Sequence, residues 1–100
     1  MTYVTAKKEN GIYRISARGH ATGSPECCAA VSALACTLAG YAGRDPEIKV
    51  LSKSVAPGRF GFSFSGGERA RLIFGAFAFG FCALARAFPL FVSFDGDVDQ

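Results

Sequence analysis

Residues 12–34 read Ile-Tyr-Arg-Ile-Ser-Ala-Arg-Gly-His-Ala-Thr-Gly-Ser-Pro-Glu-Cys-Cys-Ala-Ala-Val-Ser-Ala-Leu and change periodicity halfway. In the first seven, Tyr13, Ile15 and Ala17 fall on one side and Arg14, Ser16 and Arg18 on the other, the pattern of a strand with one covered face. Gly19 ends the strand and residues 20–24 form a loop. Ser24 is suited to cap a helix N-terminus, Pro25 fits the first helical position, and Glu26 sets negative charge in the first turn. Val31, Leu34, Ala35 and Leu38 then recur at helical spacing. The helix is predicted to reach Leu38 or Tyr41, with Gly40 and Gly43 punctuating its end.

On the N-terminal side, Tyr3 to Lys7 is a second strand pattern, joined to Ile12–Arg18 through Lys8-Glu9-Asn10-Gly11. Asn-Gly tolerates positive φ at both positions and predicts a hairpin. Downstream, Ile48 to Val55 and Arg59 to Ser65 flank Ala56-Pro57-Gly58, a second turn signal. Phe60, Phe62 and Phe64 alternate with Arg59, Gly61, Ser63 and Ser65, so the phenylalanines line the covered face. Gly66 and Gly67 lead to a second helix over Glu68–Ala87. One of its faces carries Ile73, Phe77, Phe81 and Leu84, another Leu72, Ala76, Phe79 and Ala83. A helix apolar all round needs cover on more than one side, here the first helix and a second subunit. Gly75 and Gly80 each cost that helix about 1 kcal/mol against alanine, which predicts close approach of a neighbour. Pro89 breaks the helix, Leu90, Val92 and Phe94 alternate in a last strand, and Asp95, Asp97 and Asp99 mark an acidic tail. The order β-β-α-β-β-α-β predicts a single α+β domain over residues 1–100, its mostly antiparallel sheet carrying two helices on one face.

One hundred residues allow one modest core. Half are hydrophobic and mean hydropathy is +0.25; that excess predicts a homo-oligomer. Eleven basic and eight acidic residues give +3, scattered along the chain, which reads first as a mixed solvated surface and second as weak attraction to RNA or ribosomal surfaces. With no sustained basic run and no aromatic RNA-binding signature, no direct nucleic-acid binding is expected. The start, Met-Thr-Tyr-Val-Thr-Ala-Lys-Lys, lacks the pattern of a secretory signal, and a cytoplasmic location is expected. Cys27, Cys28, Cys36 and Cys82 are then free thiols. No metal or other cofactor is expected, because adjacent helical cysteines diverge by about 100° and no second pair has ligand spacing. The apolar run from Leu72 to Ala85, closed by Arg71 and Arg86, is fourteen residues long. A spanning helix needs roughly 20, so this run predicts a buried helix rather than a membrane segment.

The chemistry concentrates between the strand and the first helix. His20 is the only histidine and stands at the strand end. Cys28, eight residues on, is in the first turn of the helix, where the positive end of the helix dipole favours a thiolate. An imidazole in reach would complete a nucleophile and an acid for the leaving amine. Unpaired N–H groups at the helix start are candidates to hold an oxyanion. Helical spacing puts Cys27 on the core stripe with Val31 and Leu34, leaving Cys28 more accessible and the better nucleophile. A spacing of eight residues allows the contact without enforcing it.

Gly19-His20-Ala21, then Gly23, then Cys28-Ala29-Ala30-Val31-Ser32-Ala33-Leu34 resembles the ribosomal-processing cysteine protease family, Prp. The element order and length resemble that family too. The resemblance implies a homodimeric peptidase in which Cys28 is the nucleophile and His20 the general base and acid, with Gly19, Gly23 and Ser32 supporting the site. It implies as substrate a large-subunit ribosomal protein precursor whose N-terminal extension carries a Phe-Phe-Ala-like site; relatives in phage contexts trim phage structural proteins. Two positions depart from the family. The loop between histidine and cysteine is shorter than in many relatives, and Pro25 stands where many carry an acid, so no third site residue is assigned. A non-catalytic dimer that holds a peptide or a ribosomal surface in the same groove is the alternative reading, and the ten phenylalanines supply a lining for either.

Overall fold

The computed structural model describes residues 1–21 and 23–96. Its elements are β1 (Thr2–Glu9), β2 (Ile12–Arg18), α1 (Pro25–Arg44), β3 (Ile48–Ala56), β4 (Arg59–Gly66), α2 (Glu68–Ala87) and β5 (Val92–Gly96). The strands form one sheet in the order β3-β4-β2-β1-β5, antiparallel throughout except for the parallel pair β1 and β5. This is the predicted α+β order, β-β-α-β-β-α-β in one domain. The acidic positions Asp97 and Asp99, and Thr22 of the loop, lie outside the described residues.

Both hairpins close where the turn chemistry sets them. Asn10 and Gly11 have φ of 52° and 78°, as a type I′ turn requires. Pro57 and Gly58, the latter at φ 71°, close β3 onto β4 with the positive φ that glycine takes without strain. Alternation then sorts the strands: Val4, Ala6, Ile15, Ala17, Phe60, Phe62, Phe64 and Val92 are buried together on one face. Tyr13 bridges sheet and helix, its ring 5.6 Å from Phe64 and 5.1 Å from Phe74. Fully burying one such phenylalanine stabilises the fold by about 1.5–3 kcal/mol.

Helix α1 starts as its sequence dictates: Ser24 Oγ accepts from the Cys27 N–H at 3.3 Å and Pro25 takes the first turn. It runs to Arg44, past the predicted end, because Leu38, Ala39 and Ala42 are buried and outweigh about 1 kcal/mol of propensity at each glycine. Its C-terminus is locked by Asp45, which caps the helix. The Asp45 side chain is only 2% exposed and pairs with Arg69 Nε at 2.9 Å, while Arg69 also reaches Glu47 at 2.7 Å. The Glu47 backbone N–H donates to Asp45 Oδ1 at 2.9 Å. That hydrogen bond first, and Tyr41 and Arg69 after it, hold the carboxyl below the usual aspartate range against the opposing effect of burial.

Helix α2 departs from its reading. The buried stripe is Ala70, Phe74, Ala78 and Phe81, so Phe74 belongs to the core. Leu72 and Phe79, on the predicted second face, are 56% and 61% exposed. Gly80 does meet a neighbour: a methyl there would stand 3.4 Å from Leu34 of α1, whereas nothing approaches Gly75. Strand β5 begins at Val92 rather than Leu90, which is exposed beyond the helix. Both helices are long and apolar enough to cross a membrane by length and composition, yet each buries one face within this α+β globule.

Candidate active site

The sheet end where β2 stops and β3 turns into β4 faces the N-terminal half of α1, and a cleft of about 560 Å³ lies between them. His20, Cys28, Ser32 and Cys36 line it, against apolar walls that include Val31, Ala35, Val55 and Phe60. The two residues expected to carry chemistry thus share one cavity, although they belong to a strand end and a helix.

Gly19 makes the histidine's position possible. Its φ is 90°, and a methyl there would collide with the Met1 carbonyl oxygen. Its N–H donates to the Gly58 carbonyl at 2.8 Å, tying the end of β2 to the second hairpin turn. The exposed imidazole then lies on Gly58: a methyl at that position would stand 2.6 Å from His20 Nε2 and 3.1 Å from its Cε1. Sequence reading treats Gly58 only as a turn former; here it also makes room for the imidazole. Gly23, at φ 94°, is required for its backbone conformation rather than for space, since a methyl would meet only Phe91 at an ordinary 3.7 Å.

The two cysteines separate as their helical positions imply. Cys27 is fully buried and Cys28 half-buried. Burial, and then the neighbouring Cys28, push the Cys27 thiol above the ordinary range, which disfavours a thiolate there. All four cysteines are free thiols. The Cys28 Sγ–H donates to the Ala21 carbonyl at 3.6 Å, and no hydrogen bond joins it to His20 among the described residues. The expected oxyanion donors are also mostly engaged: Pro25 has no N–H, Cys27 N–H is bound to the cap hydroxyl, and Cys28 N–H donates to the Ser24 carbonyl at 3.1 Å. That leaves Glu26 in the first turn. The Ser32 hydroxyl, one turn beyond Cys28, has no protein partner among the described residues and faces the cleft. No group of three or more histidine, cysteine, aspartate or glutamate side chains forms a metal cluster among the described residues.

A five-stranded sheet carries two helices on one face, and a cleft holding a thiol and an imidazole opens at its end. The chain resembles solved structures of that architecture over almost its whole length. SMU.848 from Streptococcus mutans is 26% identical, with 99% of this chain and 96% of that one covered at a TM-score of 0.74. The essential ribosomal processing protease Prp from S. aureus is 14% identical, with 97% of this chain and all of that one covered. Its TM-score is 0.82 in complex with a covalently linked product peptide and 0.66 in complex with a substrate peptide. The fold implied by residues 19–34 is therefore the fold of the chain. No family model matches the sequence, and no curated protein matches it.

Proposed function

We propose that this chain is a cysteine endopeptidase of the Prp type, with Cys28 as nucleophile and His20 as its base and acid. The observation that carries the reading is that His20 and Cys28 line one cleft while Cys27, the competing thiol, is sealed in the core. Agreement in fold with a ribosomal processing protease adds to it.

The reaction begins with Cys28 turning away from the Ala21 carbonyl and giving its proton to His20. The thiolate sulfur attacks the scissile carbonyl carbon, and the tetrahedral oxyanion collapses as imidazolium protonates the departing amine. Water, deprotonated by His20, then breaks the thioester and releases the acid. The Glu26 N–H is a donor available to the oxyanion, and the Ser32 hydroxyl is free to orient the peptide. Val31, Ala35, Val55 and Phe60 form an apolar wall suited to phenylalanine side chains, which fits an N-terminal extension with a Phe-Phe-Ala-like site on a large-subunit ribosomal protein precursor, or a phage structural protein. We place the enzyme in the cytoplasm as a homodimer, the exposed Leu72 and Phe79 of α2 being the surface a second copy would cover. No cofactor enters the scheme.

The test is cleavage of a Phe-Phe-Ala peptide. Cys28→Ala and His20→Ala each abolish it while the thermal transition persists; retained cleavage without Cys28 ends the assignment. A second reading, a peptide-binding module without catalysis, draws on the Cys28–Ala21 hydrogen bond. Iodoacetamide near pH 6 separates the two, since an activated thiol is alkylated there and a packing thiol is not.

A further inference from the structure

The open face of the sheet, opposite the helices, gathers charges that the sequence scatters. Strand register points Lys7, Arg14, Arg18, Lys49 and Arg59 outward on that face, five of the chain's eleven basic residues. Lys7 pairs across strands with Arg14, and Arg18 with Arg59. Like charges directly opposite one another destabilise a sheet, so this arrangement is costly unless an anion lies across it. The acids on the face stand at its margins: Glu9 at the hairpin, and Asp95 on edge strand β5, where it meets Lys7 at 3.6 Å. Arg14 and Arg59 have no carboxylate partner among the described residues. Arg18 lies instead over the Tyr3 ring, 5.7 Å from its centre.

The two cationic rows are four residues apart along the strands, about 13 Å. Between them runs a row of hydroxyls, Thr5 paired with Ser16 and, across Gly61, Ser54; Thr5 and Ser16 are hydrogen-bonded at 2.5 Å. Guanidinium groups match phosphate oxygens in a bidentate fashion, and hydroxyls between phosphate-binding rows suit the ribose 2′-OH. An anionic membrane would call for apolar side chains to insert, and the exposed large hydrophobics that the paired register puts on this face are Tyr3 and Ile12.

We propose that this face is a docking surface for the sugar-phosphate backbone of RNA, meeting the cleft only at its rim, where Arg59 borders both. RNA contact, the minor reading of the scattered charge in the sequence, becomes the favoured one for this face, independently of the peptidase reading. The probe is a short fluorescein-labelled single-stranded RNA of mixed sequence, titrated with the intact protein and followed by anisotropy. Dissociation constants on the order of 10–100 μM are expected at low salt, weakening between about 50 and 200 mM KCl with a log–log slope of about −3 for four phosphate contacts. The double substitution Arg14→Gln, Arg18→Gln weakens binding about tenfold, reduces the slope by about 1.4, and leaves peptide cleavage at the wild-type rate. Amide shifts on titration fall at Ser16 and Gly61 and spare α2. No binding at low salt, a flat salt dependence, undiminished binding by the double variant, or shifts confined to the cleft would overturn the proposal. A deoxy strand of the same sequence binding equally well, or anionic vesicles binding in preference, would overturn the assignment to RNA. Loss of cleavage by Cys28→Ala bears on the peptidase reading alone.

Discussion

The same strands build two unlike surfaces. On the covered side, Phe60, Phe62 and Phe64 of β4 pack in the core. On the other side, the residues between and before them carry Arg59, Gly61 and Ser63, facing Arg18, Ser16 and Arg14 of β2. The covered side is held by area removed from water, and it supports the cleft. The open side contributes little to holding the sheet together and in two cross-strand pairs works against it. Strand alternation here separates stability from surface chemistry at a resolution of one residue.

Substitutions on the two sides test that contrast. The largest effect is on activity: His20→Ala lowers peptide cleavage by a factor of at least 10²–10⁴, the usual share of a general acid–base group, with an unchanged far-UV spectrum. Next, Phe62→Ala on the covered side costs about 3–5 kcal/mol in urea unfolding. Gly58→Ala strains a backbone at positive φ for about 1 kcal/mol and shifts the imidazole. Its cleavage rate falls about tenfold or more in kcat with little change in KM, and a small apolar substitution such as Val55→Ala does not reproduce that split. Smaller still is Asp45→Asn. The native carboxyl titrates below its unfolded value of about 3.9, so its contribution to stability is present above that value and is lost as pH falls through the folded value. The asparagine variant is therefore less stable at neutral pH, and its acid unfolding curve is shallower below about pH 4. Least affected is Arg14→Gln on the open side, within about 0.5 kcal/mol of wild type; a loss comparable to that of Phe62→Ala would erase the contrast.

How much of this was legible in the sequence depends on the range of the interaction. The start of α1 was readable because Ser24, Pro25 and Glu26 act on backbone groups within three residues. Both hairpins were readable because Asn10-Gly11 and Pro57-Gly58 determine their own dihedrals. The end of α1 was not, since the burial of Ala39 and Ala42 and the Asp45–Arg69 pair come from distant segments and override Gly40 and Gly43. At the site, the difference in burial between Cys27 and Cys28 followed from helical spacing. The seat of His20 on Gly58 did not, because the 37 intervening residues had to be threaded through α1 and β3 first. The basic face was hidden for the same reason: positions 7, 14, 18, 49 and 59 form no run, and only the order β3-β4-β2-β1 makes them neighbours.

The hydrogen bond from Gly19 to Gly58 also has a temporal side. A chain emerging during synthesis owns its sulfur and its imidazole long before it owns the turn on which that ring rests. Until the fourth strand is made and zipped into register, that ring and that sulfur have no common frame. The cleft is complete only with the last antiparallel ladder.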